Sequence, residues 1–220
     1  MVSEVDRESE ALIVTRILAA RPHDAILGEE GAERSGTSGV RWVIDPLDGT
    51  TNFLYGRPEF AVAIAAEVDG RVVAGVVHDA PRDLAYYAHR GSGAFFDGSQ
   101  LRANANATLS TALVGSGFGY DPARRALQGR ILAGLVPHVR DIRRAGSACL
   151  DLCAVASGQL DAYYESGLQP WDMAAGLLIV EEAGGRTGFL PTPGGLPDAV
   201  VAAPAHLFED LVELLRVASR

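Results

Sequence analysis

The sequence predicts a mixed fold in which an antiparallel α+β half packs on a smaller α/β half. Alternating apolar residues with hairpin turn signals dominate the first half, and strand and helix patterns alternate in the second. The chain has 220 residues, which at roughly 150 residues per domain corresponds to one large domain or two fused halves. We place the predicted boundary so that the halves are 1–110 and 111–220, with the first carrying metal-binding loops and the second completing the site.

The first half is predicted to be a helix followed by a meander. Apolar residues recur at helical spacing over Ser3–Ala20, and Ser3 with Asp6 has the form of a capping box. Residues 31–39 show no apolar pattern and are predicted to form a mobile loop or lid. A strand over Arg41–Asp45 should end at Pro46, because proline cannot donate to a ladder. Further strands are predicted at 25–28, 60–68, 71–77, 84–88 and 94–96.

The second half is predicted to alternate between strands and helices, which is typical of a layered α/β unit. The predicted strands cover 113–117, 140–143, 160–164 and 200–203. The predicted helices cover 122–135, 147–157, 173–182 and a final segment from 206.

Composition and charge exclude several classes of function. Lys and Arg total 19 against 28 Asp and Glu, a formal net charge of −9. Such a surface repels phosphate backbones and anionic lipid, so we expect neither a nucleic-acid nor a membrane partner, unless metal cations locally reverse the sign. No secretory signal is visible at the start, which favours a cytoplasmic location. Cys149 and Cys153 are expected to be reduced and buried.

The strongest chemical signal is the segment DPLDGTTN at 45–52. Asp45 and Asp48 flank a proline that should end a strand, so they need not alternate across a sheet and can converge. Like charges at short range favour an intervening cation, and oxygen ligands select Mg²⁺ or Mn²⁺. Gly49 and Thr50 then resemble a helix N-terminus, whose free N–H groups bind anions. An ordinary Asx turn explains the same spacing equally well.

Other acidic residues are predicted at strand and helix ends. Glu29 follows an apolar strand, Asp172 stands where a helix cap is expected, and Glu165 ends another strand. Gly146 precedes a helix start. Each position has a plain structural explanation, but their combination is what a metal-dependent phosphoryl-transfer site requires.

Four segments carry a resemblance to a known family. They are GEE (28–30), WVIDPLDGTTNFLY (42–55), GSACLDLCAVASGQLDAYYE (146–165) and WDMAAGLLIVEEAGG (171–185). In the same order and over almost the whole chain, the sequence resembles the inositol monophosphatase family of Mg²⁺-dependent, lithium-sensitive phosphatases. The resemblance implies a layered αβαβα sandwich and a homodimer.

The resemblance also implies roles for individual residues. One Mg²⁺ would be held by Glu29, Asp45 and the carbonyl of Leu47, and a second by Asp45, Asp48 and Asp172, with a weaker third at Glu29. The phosphate would meet the N–H groups of Gly49 and Thr50. The alcohol would be lined by Gly146, Ser147, Ala148, Glu165 and Asp172.

The activity implied is hydrolysis of a small phosphorylated alcohol or sugar by in-line attack of metal-activated water. Glu29 and the Thr50 hydroxyl would orient that water and take its proton. The second metal, held by Asp48 and Asp172, would stabilise the leaving oxygen as the ester bond breaks. Inositol 1-monophosphate is the leading substrate, with Mn²⁺ a substitute metal. Histidinol phosphate and fructose 1,6-bisphosphate are alternatives, although Arg143 and Arg144 are the only basic residues visible for a second phosphate.

An alternative from another functional class is a regulatory binding protein with vestigial phosphatase chemistry.

Family members also usually carry some tens of helical residues ahead of the stretch matching Val2–Arg7, where this sequence begins. In relatives that helix packs on the meander and brings residues near the third metal, so stability, dimer formation and full activity are expected to depend on it.

Overall fold

The computed structural model describes residues 3–219 and contains two sheets separated and flanked by helices. The α-helices are α1 (Glu4–Ala20), α2 (Thr50–Leu54), α3 (Pro122–Leu135), α4 (Ala148–Ala156), α5 (Pro170–Glu182) and α6 (Phe208–Ala218). Short 3₁₀ turns lie at Leu109–Thr111 and Val136–His138.

The strands divide between the sheets along the chain. The larger sheet has β1 (Ala25–Gly28), β2 (Glu33–Arg34), β3 (Val40–Asp48), β4 (Ala61–Val68), β5 (Arg71–Asp79), β6 (Leu84–His89), β7 (Ala94–Phe96) and β8 (Ser99–Gln100). The smaller sheet has β9 (Leu113–Ser116), β10 (Asp141–Arg143), β11 (Ala162–Ser166), β12 (Gly185–Leu190) and β13 (Ala199–Pro204).

The larger sheet is a meander with one parallel pair at its start. Its order is β2-β1-β3-β4-β5-β6-β7-β8, and only β1 and β3 run parallel. The smaller sheet has the order β10-β9-β11-β13-β12, in which β9, β10 and β11 are parallel and β13 is antiparallel to both its neighbours. It is therefore a mixed sheet.

The helices complete the layers that the resemblance implies. Helices α4 and α5 contact strands of both sheets, and one buried cluster joins them to both. Helix α6 packs on α3 and on β13, and a second buried cluster joins these elements on the outer side of the smaller sheet. Helix α1 packs along β3. The layered αβαβα sandwich is confirmed.

Helix α5 approaches the larger sheet closely because the facing side chains are small. A Cβ added at Gly75 would lie 3.0 Å from the Cα of Ala175. On β4 the buried face carries Ala61, Ala63 and Ala65, while the larger Val62 and Ile64 are only half-buried. This explains why a strand rich in alanine pairs at the centre of the sheet.

Several predicted boundaries differ from the structure. Strand β3 was expected to end at Asp45 but continues to Asp48, because a bulge accommodates Pro46. The segment 31–39, expected to be a loop, contains the short β2. Helix α5 begins at Pro170, not at Met173, and β8 and β12 were not predicted. None of the helices in residues 3–219 is both long and apolar enough to cross a membrane.

Candidate active site

A cavity of about 270 Å³ opens where the ends of β1, β3, β9 and β11 meet the starts of α2, α4 and α5. It draws residues from distant parts of the chain. Those predicted from the sequence that line it are Glu29, Asp45, Leu47, Asp48, Gly49, Thr50, Gly146, Ala148, Glu165 and Asp172.

The bulge in β3 puts Asp45 and Asp48 on one side of the sheet. Asp45 pairs with Ala63 and Asp48 with Ala61, so three residue steps on β3 match two on β4. Residues two apart on a regular strand share a face. The extra residue therefore brings both carboxylates to the cavity, which a regular strand would not do.

Asp48 is held by the start of α4. Its Oδ2 accepts hydrogen bonds of 2.7 Å from the Ser147 hydroxyl and 2.7 Å from the backbone N–H of Cys149. Ser147 is the N-cap of α4 and also accepts from the N–H of Leu150 at 3.3 Å. Burial raises the pKa of Asp48, and the hydrogen bonds from Cys149 and Ser147 oppose that rise.

Glu29 reaches the cavity because its loop is fixed from behind by α1. The Glu10 carboxylate accepts from the N–H groups of Glu30 at 2.9 Å and Ala32 at 3.0 Å. Gly28 makes room for the Glu10 carboxylate, since a Cβ added at Gly28 would collide with Glu10 Oε2. The loop that carries Glu29 is thus anchored by a buried carboxylate.

Thr50 opens the short helix α2 and is bonded to α1. Its single hydroxyl proton lies within reach of two acceptors, Asp6 Oδ1 at 3.1 Å and the Leu47 carbonyl at 3.2 Å. Asp6 is fully buried and also accepts from the backbone N–H of Ser3 at 2.9 Å. Gly49 precedes Thr50 with φ of +92°, and an added Cβ there would lie 2.7 Å from the Glu59 carbonyl oxygen.

The acidic groups of the cavity hold their protons more tightly than usual. Burial raises the pKa of Asp45 well above its ordinary value, and the charges of Asp48 and Glu29 add to this. Burial likewise raises the pKa of Glu29, of Asp172 to about 8 and of Glu165 to about 7. A pocket that concentrates like charges in this way gains most from a bound cation.

The donor chemistry of the cavity fits a hard cation. Its lining includes Glu29, Asp45, Asp48 and Asp172 together with Leu47, whose carboxylate and carbonyl oxygens are the ligands that such ions prefer. Among residues 3–219, however, no three His, Cys, Asp or Glu side chains are already arranged to hold a metal ion. Asp45 Oδ1 accepts from the N–H of Leu47 at 3.0 Å, and Asp172 Oδ2 accepts from the N–H of Gln169 at 2.6 Å. Each of these bonds uses one oxygen of its carboxylate, which leaves the second oxygen for a cation.

Ser147 is the predicted site residue that does not line the cavity. It is fully buried behind the cavity and turns its hydroxyl to Asp48. Arg143 also lies elsewhere, paired with Asp141 at 2.6 Å, whereas Arg144 does line the cavity.

Sequence reasoning missed several residues around the site. Asp6 and Glu10 are the two buried residues of α1, and their spacing of one helical turn was the available signal. No comparable pattern indicated the residues contributed by the segment after β9 and by α3, which include Phe118, Tyr120, Arg124 and Gln128.

Comparisons with known proteins agree over almost the whole chain. The model of the inositol monophosphatase family matches residues 1–215. The inositol-1-monophosphatase of Mycobacterium bovis is 48% identical, covering 98% of this chain and 78% of the relative. The Nus factor SuhB of Pseudomonas aeruginosa is 48% identical over 84% of this chain and 70% of its own length.

Solved structures show the same fold. That of Mycobacterium tuberculosis SuhB is 46% identical and superposes with a TM-score of 0.87, covering 97% of this chain and 84% of the other. Sequence, fold and cavity therefore assign the chain to the inositol monophosphatase family.

Proposed function

We propose that this phosphoric monoester hydrolase acts on inositol 1-monophosphate, with two or three Mg²⁺ ions as cofactors and Mn²⁺ as a substitute. The observation that carries the proposal is the meeting of Glu29, Asp45, Asp48 and Asp172 in one cavity beside Gly49 and Thr50. Relatives named inositol-1-monophosphatase support the choice of substrate. We further propose a homodimer acting in the cytoplasm, and the division at residues 110 and 111 stays a prediction.

The metal ligands we propose are the carboxylates of Glu29, Asp45, Asp48 and Asp172 with the carbonyl of Leu47. A divalent cation bound there would supply a Lewis acid that lowers the pKa of water and neutralises charge on the phosphate. The polypeptide itself contributes the directions of these oxygens. The bulge sets Asp45 and Asp48, and Glu10 fixes the loop of Glu29.

Thr50 and Asp6 are proposed to orient the attacking water and accept its proton. The Thr50 hydroxyl donates to Asp6, so its oxygen keeps a lone pair for the proton of a water placed in the cavity. Asp6 thereby fixes the direction in which Thr50 accepts, while Glu29 orients the water from the other side. The N–H groups of Gly49 and Thr50 are proposed to hold the phosphate.

The alcohol is proposed to lie against Gly146, Ala148 and Glu165. The Tyr163 hydroxyl donates to Glu165 Oε2 at 2.6 Å, which directs the carboxylate of Glu165. Its pKa of about 7, raised by burial, lets Glu165 either accept or donate at neutral pH. Such a group matches a polyol, whose hydroxyls do both.

Substitution of Asp45 tests the proposal. We expect Asp45→Asn to lose more than about tenfold of phosphatase activity in excess Mg²⁺, which is about 1.4 kcal/mol of barrier. Asp141→Asn, an exposed carboxylate paired with Arg143, is the matched control and should retain activity. A loss in Asp45→Asn smaller than tenfold would contradict its role as a ligand.

A panel of esters tests the substrate. Inositol 1-monophosphate should give the highest kcat/KM, above histidinol phosphate and fructose 1,6-bisphosphate. The bisphosphate remains a competitor because Arg124 joins Arg144 on the cavity wall. Release of no phosphate from any ester would instead favour the regulatory alternative, which the Nus factor relative represents.

A further inference from the structure

Asn52 joins the two sides of the cavity from behind. It lies in α2, two residues after Thr50, and is 5% exposed. Its Nδ2 donates to the carbonyl of Glu59 at 2.7 Å and to that of Ala145 at 2.9 Å. The second bond links segments 93 residues apart in the sequence.

The Ala145 carbonyl belongs to the loop that lines the alcohol side. Gly146 follows it with φ of +98°, and an added Cβ there would lie 3.0 Å from Asn52 Nδ2. The loop therefore rests directly on the Asn52 amide. Movement of Asn52 would move Gly146 relative to Gly49 and Thr50.

The chemistry of the amide suits this task. Asn offers two N–H donors on a short side chain, and both acceptors are backbone carbonyls, so Asp in its place would set three acceptors against one another. Asp48 also links the two halves through Ser147 and Cys149, but those bonds involve a carboxylate proposed to bind a cation. The link through Asn52 is neutral and independent of metal.

We propose that Asn52 is a positioning residue that sets the separation between the phosphate side and the alcohol side of the cavity, and thereby governs which alcohols are accepted. The inference rests on the proposed function. It assigns to Asn52 no contact with the substrate and no role as a ligand.

Kinetics with two esters test the inference. Inositol 1-monophosphate places a polyol against the Gly146 loop, whereas p-nitrophenyl phosphate offers that loop no hydroxyls. In Asn52→Ala we expect kcat/KM to fall about 30-fold for the inositol ester and about threefold for the aryl ester. The inhibition constant of inorganic phosphate should change by less than about twofold, since the phosphate side is retained.

A second variant and a direct structural measurement keep the test decisive. In Asn52→Ala the two losses amount to about a tenfold change in preference between the esters. Asn52→Asp preserves the shape of the side chain but removes its N–H donors, and should change the preference by the same factor. Amide hydrogen exchange in residues 144–149 should accelerate in both variants. Asn104→Ala is the matched control, because it removes a hydrogen bond of 2.6 Å that the Asn104 side-chain amide donates to Asp161 away from the cavity. It should change neither measurement.

Equal losses with both esters, or unchanged exchange in 144–149, would overturn the role of Asn52. If the unsubstituted protein hydrolyses neither ester, the proposed function fails, and the exchange measurement still decides whether Asn52 positions the loop.

Discussion

Replacing Ser147 by alanine removes two hydrogen bonds at once and should lower the stability of the fold. The hydroxyl donates to the Asp48 carboxylate at 2.7 Å and accepts from the Leu150 N–H as the N-cap of α4. A hydrogen bond to a charged group contributes about 1.5–3 kcal/mol, and loss of a cap costs about 0.5–2 kcal/mol. Because Ser147 is fully buried, water cannot replace the lost donor.

We therefore expect Ser147→Ala to lower the free energy of unfolding by about 2–4 kcal/mol, a fall in Tm of roughly 5–12 °C for a chain of this size. The fall should be larger in EDTA than in Mg²⁺, because a cation would take over stabilisation of the Asp48 charge. Thermal unfolding by circular dichroism in both buffers measures it.

The matched control lies at the other end of the same helix. The Ser157 hydroxyl donates only to the Ala154 carbonyl at 3.2 Å, so Ser157→Ala should cost less than about 1 kcal/mol. If Ser147→Ala is no more destabilising than Ser157→Ala, the bond to Asp48 carries no stability and the reasoning is refuted.

Three further outcomes are expected. Burial raises the pKa of Asp151 to about 8 and that of Glu165 to about 7. The folded protein therefore holds these protons more tightly than the unfolded chain, and the stability this contributes is lost as the pH rises from about 4 to about 8. Tm in EDTA should be higher at pH 5 than at pH 8, and Asp151→Asn should flatten this dependence of Tm on pH. Gly49→Ala should abolish most activity, because its Cβ would meet a carbonyl at 2.7 Å, whereas Gly56→Ala, also at positive φ but in open space, should cost only about 1–2 kcal/mol and keep activity. Leu211→Ala, fully buried in α6, should cost about 2–5 kcal/mol by urea unfolding without changing KM.

Local patterns predicted the regular elements well where one signal dominated. Helix α3 begins at Pro122, as predicted, and the structure adds Asp121 as its N-cap. The predicted capping box of Ser3 with Asp6 opens α1. Strand β12 escaped prediction because Gly185–Leu190 shows no clear alternation and is defined by pairing with β13. Long-range pairing of this kind leaves no local trace.

The acidic residues of the cavity were easier to find than their supports. Asp45 and Asp48 stand in a distinctive segment, whereas Asp6 and Glu10 are acidic residues on a helix whose other described side chains are not fully buried. Their spacing of one helical turn shows only that they share a helix face, and it does not show that Glu10 accepts from backbone N–H groups 20 residues away. Ser147 is the opposite case, because it was predicted to line the alcohol and its hydroxyl instead donates to the Asp48 carboxylate.

The bulge at Pro46 shows that the arrangement of the acidic residues depends on more than their presence in the sequence. Deleting Leu47 would leave every acidic side chain in place and the local composition almost unchanged. It would also restore an even alternation in β3. Asp45 and Asp48 would then share a face without the Leu47 carbonyl between them. Deletion of this one residue would therefore remove a proposed metal ligand while leaving the charge pattern intact, so an unchanged set of acidic residues does not by itself show an intact metal centre.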